Sequence, residues 1–170
     1  MIVMEIIKSK WFLFVGIPLI VLVVLYILGK KSVHAEIVIN ATPEKVWSVL
    51  MDKSAYREWN TVLIPVKGDL EIGTKVDYEF YQDENSSYTI SSKVLAVEEN
   101  KLLNQGGGAF GVLTFNHKYI LEETEDSTKV IIHEDYRGIG VPFWNPAPVE
   151  KAYERLCEDL MNRVETLKGE

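Results

Sequence analysis

Residues 39–60, "INATPEKVWSVLMDKSAYREWN", decide how the rest of the chain is organised. They follow "VHAEIVI", Val33 to Ile39, whose alternation of apolar and polar residues predicts a strand. Thr42-Pro43 ends that strand. Proline has no N–H to donate and a fixed φ, which suits the first position of a helix, and Thr42 stands where an N-cap belongs. Val46, Trp47, Val49 and Leu50 then share one helical face. A second short helix over 54–59 adds Tyr56 and Trp59.

Downstream, six further strands are expected at about 62–66, 75–81, 88–97, 102–105, 110–121 and 129–137. "QDENSS" and "EETEDS" are polar connectors of hairpin length. The chain closes with Val149, Tyr153, Leu156, Leu160, Val164 and Leu167, spaced as one face of a long helix introduced by Pro146 and Pro148. Strand, helix pair, six strands and closing helix make an α+β domain.

Upstream lies "WFLFVGIPLIVLVVLYIL", Trp11 to Leu28, without a charge. A helix of this length covers about 27 Å, near the thickness of a bilayer core. Trp11 and Tyr26 stand near its ends, with Lys8 and Lys10 on one side and Lys30 and Lys31 on the other. Val33-His34-Ala35 offers a signal-cleavage spacing, but the apolar run is too long for a cleaved leader. The expected organisation is a tail over 1–10, a transmembrane helix over 11–28, a linker over 29–32 and one domain over 33–170. Such a protein is a single-pass membrane protein, with the side of the domain left open by the equal lysine flanks.

The domain over 33–170 holds 14 Lys/Arg and 24 Asp/Glu, so its net charge is 14 − 24 = −10. That balance argues against nucleic acid as a partner. Cys157 is the only cysteine, which excludes an internal disulfide and a cysteine-based metal cluster.

The domain resembles the START-like, Bet v 1-like (SRPBCC) superfamily, and within it the polyketide cyclase/dehydrase and lipid-transport group. The resemblance rests on residues 39–60, "LEIGTKVDYEF" (70–80), "GVLTFNHKYILEETEDSTKVIIHEDYRGIG" (111–140) and "YERLCEDLMNRVETLKGE" (153–170), in that order. It implies a helix-grip fold: a curved seven-stranded antiparallel sheet around the C-terminal helix, with an apolar cavity between. Related sequences often carry a tryptophan after the Leu102-Leu103 pair, where this chain has Asn104-Gln105.

Alternation in the strands selects candidate site residues. Leu113, Phe115, His117, Tyr119 and Leu121 share the apolar face of one strand, and Val130, Ile132, Glu134 and Tyr136 that of the next. If Glu123 pairs with Thr128, His117 lies opposite Glu134, Phe115 opposite Tyr136 and Tyr119 opposite Ile132. The pair is read as a polar anchor for a ligand, a general acid/base couple, or two core groups satisfying each other. Tyr78, Phe80, Tyr88, Ile90, Trp144, Tyr153, Leu156 and Leu160 complete the expected cavity lining. No metal is expected, since His34 and His133 lack ligand spacing to His117, and no cofactor is expected. "GIGVPFWNP", 138–146, is either an entrance gate or a loop packing back on the sheet.

The glycines of "NQGGGAFGVLTFNHKY", 104–119, lead into a strand rather than a helix, unlike a phosphate-binding loop. They are expected to supply positive φ at a hairpin turn, or a bulge. The functional expectation is a membrane-anchored protein that binds a hydrophobic small molecule or lipid. The alternatives are a cyclase/dehydratase using His117 and Glu134, or a protein-interaction module without a cavity.

Overall fold

The computed structural model describes residues 10–83 and 86–167. Residues 1–9 of the expected tail over 1–10, with the flanking Lys8, lie outside them. The first apolar segment is helical over residues 10–28 but not regular α-helix throughout. Phe12–Gly16 forms a π-helical turn and α1 follows over Ile17–Leu28. Pro18 has no N–H to close the regular ladder, which accounts for the widened turn ahead of it. At 12 residues, α1 is only about 18 Å long. The expected transmembrane helix over 11–28 is therefore corrected: among the described residues, no helix is long and apolar enough to cross a membrane.

β1 runs Lys30–Ile39, three residues earlier than the alternation begins. Lys30, Lys31 and Ser32 pair with Arg137, Tyr136 and Asp135, so most of the expected linker is strand. α2 is Pro43–Met51, with Pro43 at its first position and Thr42 extended at the N-cap, although the Thr42 hydroxyl makes no capping bond. The second helix divides into a 3-10 turn, Lys53–Ala55, and a single α turn, α3, Tyr56–Trp59.

Six strands follow: β2 Leu63–Lys67, β3 Lys75–Asp83, β4 Ser86–Glu98, β5 Leu102–Ala109, β6 Leu113–Glu123 and β7 Thr128–Arg137. They form one antiparallel sheet in the order β1-β7-β6-β5-β4-β3-β2. Breaks in register at Pro65/Lys67, Tyr81/Asp83 and Val94/Ala96 accompany the curl of its far half. The long helix α4, Ala147–Thr166, lies in the concave face against β1, β3 and β7, with α2 beside it. This is the expected helix-grip arrangement.

The core is not uniform along α4. Leu156, Leu160 and Val164 are sealed against Val33, Ile39, Val46, Leu50, Tyr119, Val130 and Ile132 in one cluster. Around its first two turns, at Val149 and Tyr153, the packing opens into a cavity. β5 is longer than the sequence suggests, because Gly106, Gly107 and Gly108 belong to the strand. The turn to β6 is Phe110 to Val112, and positive φ falls at Gly108 (96°) and Gly111 (78°).

Candidate functional site

The cavity occupies about 500 Å³ between the sheet and the start of α4. Phe80, Tyr88, Ile90, Leu113, Phe115, Tyr136, Trp144, Val149 and Tyr153 form its apolar and aromatic walls, with Gln82, Gly108 and Glu134 as the remaining lining. Among the described residues, no lysine or arginine lines it. A second hollow of about 490 Å³, walled by Lys30, Lys31, Asp135 and Arg137 among others, shares only Phe115 and Tyr136 with the first. Its charged lining suits no apolar guest.

Alternation in β5 and β6 shapes the floor. Gly107 pairs with Phe115, and a Cβ on Gly107 would lie 2.7 Å from the Phe115 ring and 2.4 Å from the Ser91 carbonyl oxygen. Only glycine lets the ring lie down onto the strand, and a ring held down leaves volume above it. Trp144 packs back from the 138–146 loop, its ring 4.4 Å from that of Tyr136. Lys31 secures the loop by donating to the carbonyls of Pro142, at 3.4 Å, and of Trp144. Phe143 points to solvent instead, so the two aromatic residues of this loop do different things.

The register of β6 and β7 places His117 opposite Glu134, Phe115 opposite Tyr136 and Tyr119 opposite Ile132, as the alternation predicts. His117 Nδ1 lies 3.3 Å from Glu134 Oε2, and both residues are 3% exposed. The Tyr153 hydroxyl donates to the same oxygen, and the Tyr136 hydroxyl also engages Glu134. The His117 ring stands edge-on to Tyr119 and Tyr153, with centroids 4.7 Å and 5.1 Å apart. Burial, and then the nearby Glu134 charge, push both the Tyr153 and Tyr136 hydroxyls well above the ordinary phenol range. Neither tyrosine is a proton source near neutrality; both are fixed hydrogen-bond donors.

Beside the cavity, and sharing Ile90, Phe115, Glu134 and Tyr153 with it, is a recess of about 20 Å³. Leu63, Tyr78, Ser92, Gln105 and His117 complete its wall. Gln105 Oε1 accepts from Tyr78 at 2.7 Å and from Ser92 at 2.9 Å, and Tyr78 is itself raised by burial. His117 Nε2 is buried without a partner among the described residues.

Residues 30–167 match the family model described as "Polyketide cyclase / dehydrase and lipid transport". The chain belongs to this family. No curated protein matches it significantly. Among solved structures, the domain is similar to the Zhui aromatase/cyclase from Streptomyces sp. R1128, with TM-score 0.65, 13% identity and coverage of 80% of this chain and 94% of that one. It is also similar to a norcoclaurine synthase point mutant from Thalictrum flavum, solved with a transition-state analogue (TM-score 0.59, 17% identity, 82% and 96% covered). A third similar structure is a protein from Thermus thermophilus (TM-score 0.64, 15% identity, 81% and 99% covered). At these identities the likeness shows the fold alone.

Within this polyketide cyclase/dehydrase and lipid-transport domain, the structure distributes the expected cavity residues unevenly. Phe80, Tyr88, Ile90, Phe115, Glu134, Tyr136, Trp144 and Tyr153 line the cavity, while Tyr78 and His117 line the recess. Tyr119, Ile132, Leu156 and Leu160 reach neither and are packed into solid core, because the sheet closes onto α4 beyond its second turn. Gln105 was not anticipated. The alternation that places His117 inward also places its pairing partner Gln105 inward. Cys157 is buried, and its thiol is pushed up to about 12 by that burial and by neighbouring acids, which leaves it unreactive.

Proposed function

We propose that this domain binds a hydrophobic small molecule or lipid in the cavity between sheet and terminal helix. The observation that carries the reading is the cavity itself: about 500 Å³, walled by aromatic and aliphatic side chains, with one carboxylate in its lining. Family membership supports the same ligand class. A cavity of this volume favours this reading over an interaction module without one.

We infer in addition that residues 11–28 hold the domain at a lipid surface. Leu13, Phe14, Val15, Ile17 and the apolar residues of α1 are exposed, and no residue of α1 is buried. A helix apolar on every side belongs in an apolar phase. Trp11 and Tyr26, with Lys10, Lys30 and Lys31 beyond them, suit an interface. Contact with lipid brings the cavity to where apolar ligands are concentrated.

A second reading, a cyclase/dehydratase-type enzyme, is favoured by Glu134, which lines the cavity and is hydrogen-bonded to His117 and Tyr153. His117 counts against it, since the residue sits in a recess of about 20 Å³, too small to admit a reacting centre.

Native mass spectrometry of the full chain, released from detergent, tests the leading reading. A co-purified apolar molecule, or uptake of one equivalent of the neutral probe N-phenyl-1-naphthylamine, is expected. No uptake across a range of apolar probes contradicts it.

A further inference from the structure

The recess beside the cavity restricts what the polar end of the ligand can be. Two features do this: an orphaned histidine nitrogen and the size of the space next to it. His117 Nδ1 faces the Glu134 carboxyl group, so Nε2 is the ring nitrogen left to meet a ligand. It is buried and has no partner among the described residues. A buried polar atom without a partner is costly.

The recess on whose wall His117 sits measures about 20 Å³. That is room for one hydroxyl group or one water, not for a methyl-capped oxygen or a carboxylate. It meets the main cavity along Ile90, Phe115, Glu134 and Tyr153, so a molecule filling the cavity can extend its tip into the recess. Charge acts in the same direction. Among the described residues neither wall contains a lysine or arginine, and Glu134 stands at their junction. An anionic tip would be buried beside a carboxylate with no cation to offset it.

Resting on the cavity reading above, we propose that the ligand is a neutral apolar molecule with a hydroxyl tip, a long-chain or polycyclic alcohol or a phenol. The hydroxyl enters the recess and hydrogen-bonds to His117 Nε2, which a group that both donates and accepts can do. Fatty-acid anions and capped ethers are discriminated against. His117 acts as a specificity-determining residue.

The test is displacement of N-phenyl-1-naphthylamine from the full chain by 1-decanol, decyl methyl ether and decanoate at pH 7. One hydrogen bond to a buried polar group corresponds to about tenfold in affinity. The alcohol is therefore expected to displace the probe at about tenfold lower concentration than the ether, with decanoate weaker still. In His117→Phe the alcohol falls to the level of the ether while the ether is unchanged. Should that variant fail to fold, the unmodified protein still reports: the His117 Nε2 nitrogen resonance moves on adding 1-decanol and not on adding the ether. Equal affinity for alcohol and ether, tighter binding of decanoate, or an unmoved Nε2 resonance overturns the proposal and leaves the cavity reading standing. Failure of the probe and of all three competitors to bind removes both.

Discussion

Gly107→Ala tests how the cavity is kept open. The Gly107 φ lies outside the left-handed region, so alanine meets no backbone strain there and the obstacle is steric. A Cβ would sit 2.4 Å from the Ser91 carbonyl oxygen and 2.7 Å and 2.9 Å from two atoms of the Phe115 ring. The carbonyl belongs to the backbone of β4 and is fixed by the sheet. The ring can swing, but Phe115 lines both cavity and recess, so its escape consumes the space a ligand needs. Overpacking of this kind costs about 1–3 kcal/mol, and the reduced freedom of the unfolded chain returns about 0.4–1 kcal/mol. The expected net loss is about 1–2 kcal/mol, or a fall of roughly 0.5–1 M in the urea midpoint for a typical denaturant slope. Probe binding should fall with it. Gly106→Ala is the internal comparison: its Cβ would meet the tip of the exposed, flexible Leu95 side chain at 2.9 Å, which can move aside, and the Phe115 carbonyl oxygen only at 3.2 Å, where a shift of a few tenths of an ångström suffices. Its midpoint should shift by less than half as much. A Gly107→Ala protein as stable as the parent, with undiminished probe binding, would refute the role assigned to this glycine.

Tyr153→Phe keeps the shape of the ring and removes the hydroxyl that donates to Glu134. A lost hydrogen bond to a charged group is worth about 1.5–3 kcal/mol, and chemical denaturation should show a loss of that size. Stability should fall on the alkaline side. Burial raises the hydroxyls of Tyr56, Tyr119 and Tyr153, and raises the Cys157 thiol from 9.0 to about 12. A group whose folded pKa is raised adds stability that is complete below its unfolded pKa and is lost as pH rises past it. Each such group should therefore steepen the decline by up to about 1.4 kcal/mol per pH unit above roughly pH 9–10, and urea midpoints unchanged between pH 8 and 11 would contradict this. Val23→Asp places a charge in α1, and flotation with phosphatidylcholine vesicles should drop sharply if that helix contacts lipid. Undiminished flotation argues against the contact.

Most of the fold was legible because period-two alternation and the single Thr42-Pro43 break leave few arrangements. The pairing of His117 with Glu134 followed from the short "EETEDS" connector, which fixes the register of two strands whose inward faces are unambiguous. Strand ends were less legible. Lys30 to Ser32 carry no apolar alternation and are strand only because β7 extends far enough to pair with them. Gly106 to Gly108 read as a turn by composition, yet they are strand because Phe115 needs a partner without a side chain. Periodicity selects a buried face but not the depth of packing along it. Leu156 and Leu160 therefore looked equivalent to Tyr153, although only Tyr153 reaches the cavity. In the N-terminal apolar run a count of residues does not register the π-turn ahead of Pro18, which leaves 12 residues of regular α-helix.

The most direct test of the cavity as the ligand site is to fill it. Ile90 is half-buried and lines both the cavity and the recess, so Ile90→Trp projects a large ring into the space a ligand would occupy. Titration of N-phenyl-1-naphthylamine into the parent and the variant, with circular dichroism confirming that both are folded, gives the answer. The cavity reading predicts one saturable site in the parent and at least tenfold weaker binding in the folded variant. Equal affinity in the two proteins would place the ligand elsewhere and contradict it.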